Sequence, residues 1–437
     1  MVSYRQSHVL PADFQLSLEF ARAFDLMEKT DRCILVTGKA GTGKSTLLRY
    51  FLQNTSKETV VLAPTGVAAI NVNGQTIHSF FGFPPKFITK DTIRRRRNRK
   101  LLKRIDSLVI DEVSMVRADL LDGIDHALRI NRDRPDEPFG GVQMIFFGDL
   151  FQLSPIVGND ESQVYREKYP TPYFFSAEVF DKILLDRVEL TRIFRQTDPR
   201  FIDLLNNIRD NRYCLHDFTL LNSRVSRRES KESAGHITLT TTNRDAGSIN
   251  HRRLSELSTG LFEYEAEVDG DFDSAFYPTD SILRLKVGSQ VMMLKNDPEK
   301  RWVNGSIGTI CALLSNSISV NIDGKAYPVE PAEWNKIVYE YNKQEDKIEE
   351  SIVGAFRQYP VKLAWAVTIH KSQGQTFDNV VIDLGNGAFA HGQVYVALSR
   401  CTSLAGITLR RPVRQQDIVF DSRIHEFHNN LKEEPAC

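Results

Sequence analysis

One short stretch constrains this chain more than any other feature. Gly38-Lys-Ala40-Gly41-Thr42-Gly43-Lys44-Ser45 fits the pattern G-x-x-x-x-G-K-[ST]; it follows the apolar run Cys33-Ile-Leu-Val-Thr37 and opens a helical pattern at Lys44. Strand, glycine-rich turn and helix, in that order, is the setting the pattern requires. Small residues let backbone N–H groups wrap a phosphate, and the amino end of the helix favours the anion. Lys44 is expected to reach the β- and γ-phosphates of a nucleotide, and the Ser45 hydroxyl to bind Mg2+.

Three more apolar runs behave alike. Thr59-Val-Val-Leu-Ala63 precedes Pro64-Thr-Gly66, Ser107-Leu-Val-Ile-Asp111 ends in two acids, and Gln143-Met-Ile-Phe-Phe147 ends in Gly148-Asp149. Such runs suit strands buried on both faces, as in a parallel α/β sheet, where functional groups gather at the carboxyl ends. Phosphoryl transfer to water needs a carboxylate that holds the metal and a group that orients the water. Asp111 suits the first role and Glu112 the second, and Gln152 is placed to sense the γ-phosphate or the polarised water.

A second set of strands is expected to begin near Arg187-Val-Glu-Leu190, continuing at Ile237-Thr-Leu-Thr-Thr241 and Val380-Val-Ile-Asp-Leu384. Between the last two, residues 261–350 hold 9 Lys/Arg against 17 Asp/Glu, although the whole chain of 437 residues is neutral. Leu285–Leu294, Gly308–Leu314 and Ile318–Ile322, separated by turns such as Asn304-Gly305 and Asp323-Gly324, predict a small acidic β-barrel inserted into a second α/β domain. Asn73-Gly74, between two short apolar runs, predicts a β-hairpin and thus a pin able to separate strands. The basic run Lys90–Arg104 is either a solvated face or a phosphate contact.

Composition excludes several classes. With 41% apolar and 26% charged residues the chain is an ordinary globular sequence rather than a fibrous or disordered one. No run approaches the ~18 apolar residues of a membrane helix, and the first residues lack the apolar core of a secretory signal. Cys33, Cys214, Cys311, Cys401 and Cys437 are scattered and never form C-x-x-C, which argues against zinc and a disulfide framework and for a reducing compartment.

Taken in order, the motifs resemble one family: the superfamily-one helicases named for petite integration frequency, relatives of RecD. The matching segments are Gly38–Thr46, Ala63-Pro-Thr-Gly-Val-Ala-Ala69 with Thr76-Ile-His-Ser-Phe80, Asp111-Glu-Val-Ser-Met115, Pro138-Phe-Gly-Gly141 and Gly148-Asp-Leu-Phe-Gln-Leu153. Further on come Ile193-Phe-Arg-Gln196, Lys362-Leu-Ala-Trp-Ala366 with Thr368-Ile-His-Lys-Ser-Gln-Gly374, and Val394-Tyr-Val-Ala-Leu-Ser-Arg400. The resemblance implies two RecA-like P-loop domains with parallel sheets, over residues 1–184 and over 185–252 with 358–437. It also implies a hairpin wedge at about 64–80 and an SH3-like β insert at 253–357.

It implies ATP and Mg2+ as cofactors and a nucleotide site of Gly38, Ala40, Gly41, Thr42, Gly43, Lys44, Ser45 and Thr46, with Gln15 reading adenine. Ser45 and Asp111 would hold the metal; Lys44, Glu112, Gln152, Arg195 and Arg400 would act on the phosphates. Pro64, Thr65, Gly66, His78, Thr241, Asn243, His370 and Lys371 would contact single-stranded DNA. The expected activity is 5′→3′ movement with unwinding, by a cytoplasmic, nucleoid-associated, bacterial-type motor core. That core would act as a monomer or pair on forked or structured DNA, G-quadruplexes among the substrates. A translocase that displaces proteins with little unwinding, and a nucleotide-gated switch, remain as alternatives.

Overall fold

The computed structural model describes residues 14, 16–96, 99–158, 161–226 and 236–433; Gln15, Arg97 and Cys437 lie outside them. Strands β1 (Cys33–Gly38), β2 (Thr59–Ala63), β3 (Gln75–Thr76), β4 (Ser107–Ile110), β5 (Gln143–Gly148) and β6 (Leu185–Leu190) form one sheet in the order β3-β2-β4-β5-β1-β6. Every pair in it is parallel. The apolar runs are continuous because both faces are covered. Leu35, Leu108 and Phe146 enter one core, whereas Ile34, Val36, Val109, Ile145 and Phe147 enter another on the opposite face. Alternate side chains of a strand point to opposite faces, so each of these contributes about 1.5–3 kcal/mol of apolar burial to one layer or the other.

Two expectations fail here. The run at Arg187–Leu190 does not begin the second sheet: Leu185–Leu190 is the edge of the first, paired with β1 from Cys33↔Leu185 to Gly38↔Leu190. Parallel neighbours are joined by long crossovers, so position in the chain does not reveal which sheet a strand joins. Nor does Asn73-Gly74 close a hairpin. Helix Gly66–Asn71 runs into the turn, and β3 then pairs parallel to β2, Leu62 opposite Gln75. Asn73 is in the left-handed region at φ 50°. Gly74 is tucked against β2, where a Cβ would sit 2.6 Å from the Val61 carbonyl oxygen.

The second sheet holds Ala366–Thr368, Ile237–Thr240, Val380–Asp383 and Ile407–Leu409, in that order and all parallel. The insert that interrupts it is antiparallel β structure. Its five-stranded sheet runs Lys325–Val329, Ser317–Ile322, Ile307–Leu314, Gln290–Met293 and Val361–Leu363, so it reaches past residue 357. The run Leu285–Leu294 is divided, Ile282–Lys286 from Gln290–Met293, by a turn with Gly288 at φ +95°. Asp323-Gly324 does close a two-residue hairpin, with φ of 51° and 82° between Ile322 and Lys325.

Two long-range returns tie the second half to the first. The ribbon Ala332–Asn342 with Lys347–Gln358 buries Tyr339 beside Phe80, its hydroxyl accepting from the Val61 N–H at 3.2 Å. The last helix, Ser422–Glu433, places Ile424 in the first sheet's core and stacks Phe427 on Phe175 at 4.2 Å. Among the described residues, no helix is long and apolar enough to cross a membrane.

Candidate nucleotide and nucleic-acid sites

The loop after β1 is the turn expected to bind phosphate, and the helix Lys44–Asn54 starts directly from it. Gly41 and Gly43 have φ of +79° and +87°, a conformation in which L side chains are strained. Lys44 folds back over the turn, its Nζ donating to the Gly38 and Lys39 carbonyls at 2.6 and 3.0 Å. Burial lowers the Lys44 pKa although Asp149, Glu112 and Asp111 all pull the other way. Ser45 is exposed and Thr46 half-buried in the first turn.

The acidic pair leaves the end of β4. Glu112 sits at φ 50°, ψ 44°, a left-handed conformation that costs a non-glycine residue about 1–2 kcal/mol and is characteristic of functional sites. Burial and the neighbouring Glu112 raise the pKa of Asp111; burial raises that of Glu112 against the opposing pull of Lys44 and Arg400. Gln152 is buried, its amide committed to Asp149 Oδ2 at 3.1 Å.

The second half of the chain supplies the facing cations. Phe194 N–H donates to the Gly41 carbonyl at 2.9 Å, and Arg195 lies so close that a Cβ on Gly41 would be 2.6 Å from its own Cβ. Arg195 Nη1 donates to the Ser399 carbonyl at 3.0 Å and Arg400 Nη2 to the Ser399 hydroxyl at 2.9 Å, so the two arginines converge on one residue. Arg400 is 1% exposed. Burial lowers both guanidinium pKa values, and for Arg195 the charge of Arg400 adds to it. Two guanidinium groups together suit a nucleotide's phosphates, and two neighbouring buried carboxyl groups suit a divalent metal. Ser45 and Asp111 are hard oxygen donors of the kind Mg2+ takes, and a metal shared with phosphates needs few protein ligands. Among the described residues no group of three or more His, Cys, Asp or Glu is gathered as a self-sufficient metal centre.

The other candidates cluster away from the phosphate turn. In the first sheet Pro64–Gly66 and His78 follow the adjacent strands β2 and β3, at the far edge from β6. Thr65 caps the helix Gly66–Asn71, and the aromatic ring of Phe276 covers Gly66. In the second sheet Thr241 and Asn243 follow one strand while His370 and Lys371 follow its neighbour. Asn243 and Lys371 are exposed, Thr241 is buried, and His78 and His370 are half-buried with pKa values lowered by that burial.

Sequence reasoning missed three groups. Lys362 stands near Lys371, and burial together with that like charge lowers its pKa to about 8. Its place at the head of a recognised motif was the available signal. Asp149 lies inside the Gly148–Gln152 segment but carried no assignment. Its partner Arg209, at 3.3 Å and lying over the Phe151 ring, has no local signal at all. The basic run is partly spent internally: Arg95, Arg99 and Lys103 all bind Asp133.

A glycine-rich turn of the P-loop pattern, with paired acids after another strand of the same sheet and with Arg195 and Arg400 close by, is the arrangement of a P-loop nucleotide-binding protein. Residues 15–216 match the PIF1-like helicase family, and residues 363–408 match the UvrD-like helicase C-terminal domain. The chain is 35% identical to the human ATP-dependent DNA helicase PIF1 over 96% of its own length, but spans only 64% of that protein. It is 30% identical to the ATP-dependent DNA helicase Pif1 of Bdellovibrio bacteriovorus, covering 96% of this chain and 93% of that one. A crystal structure of Bacteroides Pif1 with ADP-AlF4 matches at 39% identity and a TM-score of 0.88, over 96% of this chain and 98% of the other. A Bacteroides Pif1 structure bound to ssDNA matches at 39% identity, the same coverage and a TM-score of 0.70. The chain belongs to the PIF1-like helicase family.

Proposed function

We propose that the chain is an ATP-dependent DNA helicase that moves 5′→3′ along single-stranded DNA. One observation carries the reading: Arg195 packs against Gly41 of the glycine-rich turn and shares Ser399 with Arg400, whose charge reaches the buried Glu112. Lys44 and the backbone of the turn bind the phosphates. Ser45 and Asp111 would hold Mg2+, which when bound would draw charge from the transferring group. Glu112 orients the attacking water and accepts its proton. The arginines neutralise charge on the γ-phosphate as the lobes close, a role worth ~10³–10⁵ in rate.

Pro64–Gly66 and His78 on one lobe and Thr241, Asn243, His370 and Lys371 on the other grip the DNA backbone, and alternation of that grip with closure gives stepping. The 5′→3′ polarity is the direction that the family resemblance implies. A cytoplasmic, nucleoid-associated motor acting on forked or structured DNA is the setting that fits.

A second reading has its own support. Asn73-Gly74 folds back on β2 instead of projecting as a pin, which favours a DNA-stimulated translocase that displaces proteins with little unwinding. Both readings predict ATP hydrolysis that rises about tenfold or more with oligothymidine, ~1.4 kcal/mol of barrier. Hydrolysis indifferent to DNA overturns both in favour of a nucleotide-gated switch. Forked-duplex unwinding measured beside streptavidin displacement from single strands separates the two.

A further inference from the structure

One hydroxyl group joins the lobes in a way that the roles above leave unused. Tyr395 lies on the helix Gln393–Ser399, with the second sheet, and is 4% exposed. Its oxygen accepts the N–H of Ala40, inside the phosphate turn, at 3.0 Å. The same O–H donates to Asp149 Oδ2 at 3.2 Å. One group from the second lobe therefore fastens two separate loops of the first, those after β1 and β5.

Both ends of this bridge are buried and have no cheap substitute. Asp149 is fully buried, and burial pushes its pKa up, yet Arg209, Lys44 and Gln152 outweigh that and keep it ionised. Arg209 binds the other carboxylate oxygen, Oδ1, at 3.3 Å, so Oδ2 is left for Tyr395 and Gln152. The approach of the helix is just as tight. Gly392, immediately before it, has φ +71°, and a Cβ there would lie 2.3 Å from the Phe151 carbonyl oxygen and 2.7 Å from that of Gln152. The helix start therefore touches the backbone of the loop after β5, and this fixes where the Tyr395 hydroxyl arrives.

We propose that Tyr395 is a positioning residue that couples closure of the cleft to the geometry of the phosphate turn. This rests on the reading of the chain as a DNA-driven ATPase. With the lobes apart, the Ala40 N–H and Asp149 turn to water and the turn is free to relax. With the lobes together, the hydroxyl sets the turn relative to Asp149, and through Gln152 relative to the γ-phosphate side of the site. Arg400 caps the helix that carries Tyr395 and Arg195 donates to Ser399 of that helix, so charge neutralisation and turn geometry arrive in one motion.

The test is Tyr395→Phe, which keeps the ring and its packing and removes only the O–H. ATPase activity is measured at saturating oligothymidine in the parent and the variant, with kcat and KM separated. ATP-analogue affinity, oligothymidine affinity and melting temperature are measured alongside. The expected result is a kcat lower by about tenfold to a hundredfold, ~1.4–2.7 kcal/mol of barrier. KM and both affinities stay close to the parent's, while the melting temperature falls modestly because two buried partners lose the hydroxyl. A second variant, Asp149→Asn, weakens the acceptor while keeping its shape, and its loss should not add to that of Tyr395→Phe, as for groups acting in one network. A variant with the parent's kcat, losses confined to KM or melting temperature, or full additivity overturns the proposal. A parent enzyme that oligothymidine does not stimulate overturns the functional reading itself, a different and separately visible failure.

Discussion

Gly41→Ala tests the site most directly, because it adds one methyl group where the glycine-rich turn meets Arg195. The ideal Cβ at that position lies 2.6 Å from Arg195 Cβ, 3.4 Å from its N and 3.6 Å from its Cα. Non-bonded carbons settle at about 3.5–4.0 Å, so the arginine must retreat by about 1 Å. A misplacement of about 1 Å costs a well-oriented catalytic group ~10²-fold in rate. That is only part of the ~10³–10⁵ a phosphate-facing arginine supplies. The φ of +79° adds about 1–2 kcal/mol of strain for alanine, felt as a lower melting temperature.

The assay is steady-state ATP hydrolysis at saturating oligothymidine, with affinity for a fluorescent ATP analogue measured separately. Gly247→Ala is the control: nothing lies within 4 Å of a Cβ there, and alanine suits its helix by about 0.5–1 kcal/mol. The expected outcome is a ~10²-fold loss of kcat that is not additive with Arg195→Ala. A Gly41→Ala enzyme with the parent's kcat, or a loss fully additive with Arg195→Ala, would refute the placement of Arg195 against the phosphate turn.

Three other outcomes follow from the geometry. Lys44→Ala should abolish hydrolysis while leaving oligothymidine binding measurable by anisotropy, because Lys44 belongs to the phosphate turn and not to the DNA-facing strands; retained turnover contradicts its role. Oligothymidine affinity should fall as pH rises from about 7 to 9, since Lys362 loses its proton near a pKa of about 8, and Lys362→Met should flatten that profile. For stability the same group has the opposite sign: the unfolded chain keeps the proton up to ~10.4, so Lys362 makes unfolding harder as pH rises through that window. Ile424→Ala, at a fully buried position in the first sheet's core, should lower unfolding free energy by about 2–5 kcal/mol in urea titration, against ±0.5 for the exposed Glu426→Ala.

The chemistry of this protein was more legible than its connectivity. Gly38–Ser45, Asp111-Glu112 and Gly148–Gln152 each stand at the end of a doubly buried strand, as the apolar runs before them predict. Asp323-Gly324 was legible as a two-residue turn needing positive φ twice. Asn73-Gly74 carried the same dipeptide signal and served another purpose. Its glycine is required by close approach to Val61, and the strand after it pairs with β2 in the parallel sense.

The sequence by itself determined the glycine-rich turn after the first strand, the parallel α/β class, the acidic β insert and the family, because these are written in neighbouring residues. Tertiary structure alone decided that Leu185–Leu190 completes the first sheet, that Ile424 and Tyr339 return to its core, and that Tyr395 meets Ala40 and Asp149. The Tyr395–Asp149 contact joins positions 246 apart in the chain. Hydrogen bonds and packing act over a few ångströms in space and leave no period, spacing or composition in the sequence between the residues they join.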